Sequence, residues 1–252
     1  MTSANGRGTR EAGKATRRAL LSAATDIFVE QGETASIAQI CQRAGAYPNQ
    51  VTYYFGSKEQ LFVEVACAAV LRAGRHAEDA AAEATTVREY TNTLISSLLG
   101  PQARNVELFT TAMLLVSRRP DLRENISDTL RNLHERGEEA LMRTLVRTGW
   151  QLRADIGVEA RAFWSAIFGL IVQKAATGTD FEYSIEDAVT VVFTSLQIPD
   201  VVLDRPLERG GEGVDGLDTP RTTFAATRPA AGAAGTRPTE VFATSRRRKE
   251  SS

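Results

Sequence analysis

An all-α fold is predicted by three features of this 252-residue chain. Apolar residues recur at three- and four-residue spacing from Thr16 to Leu196, strand-like alternation is nearly absent, and glycines, prolines and capping residues punctuate the pattern. The same features divide the chain. Residues 1–15 read as a flexible basic arm, 16–62 as a three-helix head, 63–203 as a larger helical bundle, and 204–252 as a disordered tail. That last stretch holds six Gly and four Pro and shows no sustained periodicity.

The first helix carries the stripe Leu20, Ala24, Ile27 and Phe28, and Gln31-Gly32 stops it. A second starts at Ser36, with Gln39 three residues on as a capping box, and ends at Ala44-Gly45. The third accepts Pro48 in its first turn, where a missing N–H costs nothing, and Gly56 ends it after little more than two turns. Ser57 with Gln60 opens the fourth, which runs through Leu61, Phe62, Val65, Ala66, Ala69 and Val70. Extended to Ala84 it spans on the order of 40 Å, with Gly74 as a point of bending. Later helices are expected near Thr86–Leu99, Asn105–Ser117, Asp121–Arg147, Val158–Thr177 and Ser184–Leu196, with Pro101 and Pro120 at boundaries.

The third helix carries the chemistry. With Val51 and Phe55 at the centre of its buried face, Tyr47 and Tyr54 fall beside that face. Asn49 and Tyr53 land opposite, with Gln50 and Thr52 on the flanks. Amide side chains can pair with adenine edges, threonine and aromatic rings pack on thymine methyls, and hydroxyls hold phosphates. A short helix presented across tight glycine turns fits a helix-turn-helix reader of the major groove. A merely solvated polar face on a bundle helix has the same composition.

Residues 16–62 resemble the DNA-binding domain of the TetR/AcrR family of bacterial transcriptional regulators. The resemblance rests on "ATDIFVEQG", "TASIAQICQRAGA" and above all "VTYYFGSKEQLF". It implies DNA contacts from Tyr47, Pro48, Asn49, Gln50, Thr52, Tyr53 and Tyr54, and a phosphate contact from Lys58. Two departures stand out. Tyr47 occupies the place of a usual serine cap, losing a side-chain cap worth about 1 kcal/mol, and Thr52 stands where tyrosine is common. Within this frame Gln50 and Asn49 are expected to read bases, while Lys58 and the tyrosines position the helix on phosphates. The arm's Arg7, Arg10, Lys14, Arg17 and Arg18 would either reach the DNA or only solubilise the chain.

Charge supports the first site only modestly. The net charge is −1, but residues 1–62 carry seven basic and five acidic side chains, and 205–252 carry nine and six. The intervening body is therefore acidic, and the head end faces a polyanion more readily.

In the body, the line Ala162, Ala166, Gly169, Gln173 is a seam of small groups beside Phe163, Ile167, Leu170 and Ile171. The last helix is apolar on more than one side through Ile185, Val189, Val191, Val192, Phe193 and Leu196. Both patterns suit packing within one chain or against a second copy. The resemblance implies a homodimer through these two helices, a palindromic operator on double-stranded DNA, and release by a small-molecule effector of unknown identity. Phe109, Met113, Trp150, Phe163, Trp164 and Phe168 would line an effector pocket or simply fill the core.

No cofactor or metal site is expected. Cys41 and Cys67 lack disulfide or zinc spacing, His76 and His134 are isolated, and no nucleophile or phosphate-loop motif is present. The "GGEGVDG" glycines follow no strand and open no helix. With only two histidines and no such motif an enzyme is the poorer reading, and since no secretory leader or membrane span is expected the cytoplasm is the expected location. The rival reading keeps the fold and has a DNA-bound scaffold act through a protein partner, with "SRRRK" at 245–249 as a contact.

Overall fold

The heptad-like stripes and caps fold as helices throughout the computed structural model, which describes residues 4–148, 152, 154–178, 184–196, 198 and 200–207. In order these are α1 (Ala4–Gln31), α2 (Ile37–Ala44), α3 (Pro48–Phe55), α4 (Lys58–Ala81), α5 (Val87–Leu99) and α6 (Ala103–Leu115). Then follow α7 (Arg123–Thr148), α8 (Ile156–Thr177), α9 (Ile185–Leu196) and the single turn α10 (Asp200–Leu203). Among the described residues there is no strand, only one isolated bridge between Thr86 and Pro206.

Local chemistry sets the boundaries of the head. Ser36 accepts from the Gln39 N–H while Gln39 Oε1 accepts from the Ser36 N–H at 2.9 Å, so the expected capping box starts α2. Gly45, at φ 62°, ends it in the left-handed region that favours glycine. Ser57 accepts from the Gln60 N–H at 3.1 Å and opens α4. The Tyr47 hydroxyl makes no cap, but Gln50 Oε1 accepts the Tyr47 backbone N–H at 2.9 Å and settles one end of α3.

The core of the head is the one the stripes describe. Leu20, Ile27, Phe28, Ile40, Val51, Phe55 and Phe62 are buried, and Phe28 meets Phe62 edge-to-face at 5.1 Å. Each such side chain contributes about 1.5–3 kcal/mol by leaving water. This core continues along α4 without a break, because α4 packs on α1 and α3 at its start and on α5, α6 and α7 further along. The helix passes through Gly74, whose missing side chain faces Trp164.

Two expectations need correction. The first helix begins at Ala4, where a flexible arm to residue 15 was expected. Its polar early turns continue the helix because nothing before Gly32 stops it. Residues 204–207, expected to begin the disordered tail, are described: Asp204 pairs with Arg88 at 2.8 Å and the Leu207 N–H bonds Thr85 O. They close a small second core of Val87, Val202, Leu203 and Leu207. Residues 208–252, including "GGEGVDG" and "SRRRK", lie outside the described residues, as does Trp150.

One helix bears on the expectation that the chain has no membrane span. By length and composition α8 could cross a membrane, with a mean hydropathy of 1.3 over its most apolar window, a test that the core helix of a bundle also passes. Glu159, Arg161 and Lys174 interrupt its apolar residues. It packs against α6, α7 and α9, yet only 39% of that window is buried.

Candidate nucleic-acid interface and cavity

Tight turns at Gly45 and Gly56 bracket α3 and fix which of its sides turns outward. Val51 and Phe55 face inward as predicted. Tyr47 and Tyr53 are 75% and 82% exposed, and Pro48, Asn49 and Thr52 are exposed beside them. Five of the eight predicted contact residues therefore form one open face, carrying hydroxyl, amide and ring groups. The Tyr53 ring stands edge-on to Tyr54 at 4.9 Å, so two aromatic rings brace each other at the rim.

The remaining three are half-buried and already engaged. Tyr54 packs beside Phe55, and its hydroxyl lies where α1 narrows at Gly13; a methyl there would come within 3.3 Å. Lys58 Nζ donates to the Glu33 carbonyl at 2.6 Å, tying the start of α4 to the turn before α2. An ammonium has three donors, so two remain for a phosphate. Gln50 gives its carbonyl to the Tyr47 cap. A bidentate adenine pair needs both ends of the amide, so Gln50 keeps only its NH₂ for a base while the cap persists.

Arg17 answers the question about the arm for one residue. One of its guanidinium nitrogens, Nη2, donates to both carboxylate oxygens of Glu64 at 2.6 and 2.8 Å, and the guanidinium stands 4.8 Å above the Phe55 ring, which clamps α1 to α3 and α4. Lys14 and Arg18 are exposed on α1. Arg119 pairs with Asp121 at 2.8 Å and reaches Glu59 at 3.6 Å, joining the turn before α7 to the first turn of α4.

Farther along α4 the helices enclose a cavity of about 380 Å³, within the range of small-molecule sites. Of the aromatic candidates, Phe163 and Trp164 line it. Phe109, Met113 and Phe168 instead belong to the core: Phe168 stacks on Trp164 at 5.4 Å, and Phe109 is fully buried beside it. The Trp164 N–H donates to Leu133 O at 3.1 Å and holds the indole in place.

The polar lining was not foreseen. Tyr90 donates to Glu78 Oε2 at 2.9 Å, and Arg143 approaches the same oxygen at 3.4 Å. Burial, together with the Glu78 carboxylate, raises the Tyr90 pKa well above the ordinary phenol range and keeps it a donor. Glu78, Tyr90 and Arg143 come from α4, α5 and α7, so no local motif could announce them.

Cys41 and Cys67 are free and buried, and burial raises both thiols. His134 is half-buried, and burial lowers its pKa. Among the described residues no His, Cys, Asp or Glu group is arranged to hold a metal.

A short outward-facing helix on a three-helix head, carried by a long helix that also walls a ligand-sized cavity, defines a helix-turn-helix transcription regulator. Residues 20–65 match the model for bacterial regulatory proteins of the tetR family, and 87–193 match a bacterial transcriptional repressor C-terminal model. A solved structure from Rhodococcus sp. RHA1, described as a transcriptional regulator, is 63% identical. The match covers 75% of this chain and 99% of that one at a TM-score of 0.71. A TetR-family regulator from Mesorhizobium loti MAFF303099 shares the fold at 18% identity and TM-score 0.56, covering 73% of this chain and 95% of that one. So does FadR from Bacillus subtilis, solved with stearoyl-CoA, at 16% identity and TM-score 0.50, covering 74% and 97%. No curated protein matches. The chain belongs to the TetR family of DNA-binding transcriptional regulators.

Proposed function

We propose that this protein is a cytoplasmic homodimeric repressor that binds a palindromic operator and is released from it by a small-molecule effector. One observation carries the proposal: α4 holds the α3 face at its start and lines the cavity through Glu78 near its end. A ligand that shifts one end of a continuous helix shifts the other.

Asn49, Thr52 and Tyr53 supply the base-facing groups, with Gln50 adding its NH₂. Tyr47, Pro48, Tyr54 and Lys58 seat the helix on the backbone. Two copies with recognition helices about 34 Å apart would meet successive major grooves on one face of the duplex. The seam on α8 supports pairing through α8 and α9. Val158, Val172 and Ile185 are 42–49% exposed, and a methyl placed on Gly169 would meet nothing within 4 Å. An apolar helix left this open suits a second subunit. Releasing DNA 100-fold requires about 2.7 kcal/mol of differential ligand binding between two conformations, which one small molecule can supply.

The test is a titration of the protein against DNA from immediately upstream of its own gene, with a matched unrelated duplex. Tight binding to the first, at two subunits per site, is expected. Equal affinity for both duplexes at moderate salt would contradict sequence-specific repression and favour the DNA-bound scaffold.

A further inference from the structure

Two amide side chains follow one another on α3, and the fold treats them differently. Asn49 is exposed, and among the described residues its amide makes no hydrogen bond. Both of its ends are open to a base. Gln50 is tied to Tyr47 by two bonds: its backbone N–H donates to Tyr47 O at 2.9 Å, and its Oε1 accepts the Tyr47 N–H at 2.9 Å. A backbone N–H requires an acceptor, so the amide oxygen, not the NH₂, must sit there. The NH₂ end has no partner among the described residues. It is nevertheless not a buried unsatisfied group, since among those residues only Asn92 Oδ1 is one, so it reaches solvent.

The same link occurs at the start of α2, with a difference. There Gln39 Oε1 accepts both the Ser36 N–H at 2.9 Å and the Ser36 hydroxyl at 2.8 Å, and the hydroxyl oxygen in turn accepts the Gln39 N–H. Two side chains share the capping of α2. The Tyr47 hydroxyl makes no cap, so Gln50 supplies the side-chain cap of α3 by itself. Turning its amide round to offer both ends to a base would strip α3 of that cap.

The bases ask for different things. Adenine asks an amide for an acceptor and a donor, because the oxygen takes N6–H while the NH₂ gives to N7. Guanine asks for donors alone, at N7 and O6. Asn49 meets the first demand. Gln50 has its oxygen committed to Tyr47 and two N–H groups on one nitrogen, and it meets the second.

We infer that α3 carries two unlike readers: Asn49 pairs with adenine, and Gln50, held by the cap it provides, pairs with guanine. This rests on α3 being the DNA-facing helix and names the bases it selects. Gln50 sets specificity through its link to Tyr47, since a glutamine free of such a link could take adenine.

Selection of binding sites from a random duplex library by the full-length protein tests this. Gln50→Ala marks the position that Gln50 reads, as the one whose preference it abolishes. At that position the wild type is expected to favour guanine over adenine about fivefold, and Asn49→Ala should abolish an adenine preference at a different position. Gln50→Glu keeps an oxygen for the Tyr47 N–H and replaces the NH₂ with a second acceptor. Its melting temperature should be unchanged, while the preferred base moves from guanine to cytosine, whose amino group donates. Preferences are compared as ratios among the four bases within each protein, so general repulsion between the new carboxylate and phosphates cancels. A change in the DNA supplies a measurement that needs no variant: 7-deazaguanine, which lacks N7, should weaken wild-type binding about fivefold at that position. The inference is overturned by adenine preferred at the Gln50 position, by Gln50→Ala altering no position, by unchanged ratios in Gln50→Glu, or by full affinity for 7-deazaguanine. Each of these leaves α3 as a reader of DNA. Absence of base preference at every position in the wild type overturns both.

Discussion

The head and the cavity are built by opposite means. The face proposed to meet DNA comes mainly from α3 and its N-cap Tyr47, between Gly45 and Gly56, and its inward and outward sides follow from one helical wheel. The cavity's polar end joins Glu78, Tyr90 and Arg143, brought together by the packing of α4, α5 and α7. A short-range site can be read along the chain; a long-range one has to be folded first.

The largest effect that would sharpen this contrast lies in the core the head shares with α4. Phe62→Ala removes a fully buried ring from its edge contact with Phe28 and should cost about 3–5 kcal/mol in urea denaturation. A loss below 1 kcal/mol would mean the head is not held through α4. Next come the exposed residues. Asn49→Ala and Tyr53→Ala should each weaken operator binding by about 1–3 kcal/mol while changing stability by less than about 0.5 kcal/mol. A stability loss as large as the binding loss would move them from reading DNA to holding the fold.

Smaller effects follow. Gly45→Ala meets no neighbouring atom and suffers only from its φ of 62°, so it should cost about 1 kcal/mol. Gly169→Arg should leave the monomer's thermal transition nearly unchanged but halve the mass in sedimentation, since the open space beside it is where a partner would lie. At the cavity, the Tyr90 phenol has a raised folded pKa. Its stabilising contribution is therefore fully present below the ordinary tyrosine value of about 10 and is lost as pH rises through the folded value. Tyr90→Phe should flatten the alkaline arm of the stability curve, and an unchanged arm would remove Tyr90 from the buried cluster.

Most of the fold was legible because caps and stripes are local. Helices α5 to α9 begin and end within two residues of expectation, since Thr86, Pro101, Pro120 and Ser184 punctuate them, whereas the single turn α10 was not expected. The start of α1 was not legible, because a polar helical turn and a polar arm have the same composition. Gln50 shows a finer limit. Its place on the wheel was right, but its role as cap for Tyr47 depends on a side-chain conformation that spacing does not encode. Trp164 and Phe168 lie on one helix and stack, yet only Trp164 borders the cavity. Aromatic composition could not separate wall from core.

The central claim is that the outward face of α3 reads a duplex and the cavity on the same α4 controls it. Fluorescence anisotropy of the upstream duplex with wild type and Tyr53→Ala, at two salt concentrations, tests it most directly. The account predicts selective nanomolar-range binding by the wild type and at least a tenfold loss in the variant at both salts. Equal affinities of the two proteins would contradict it.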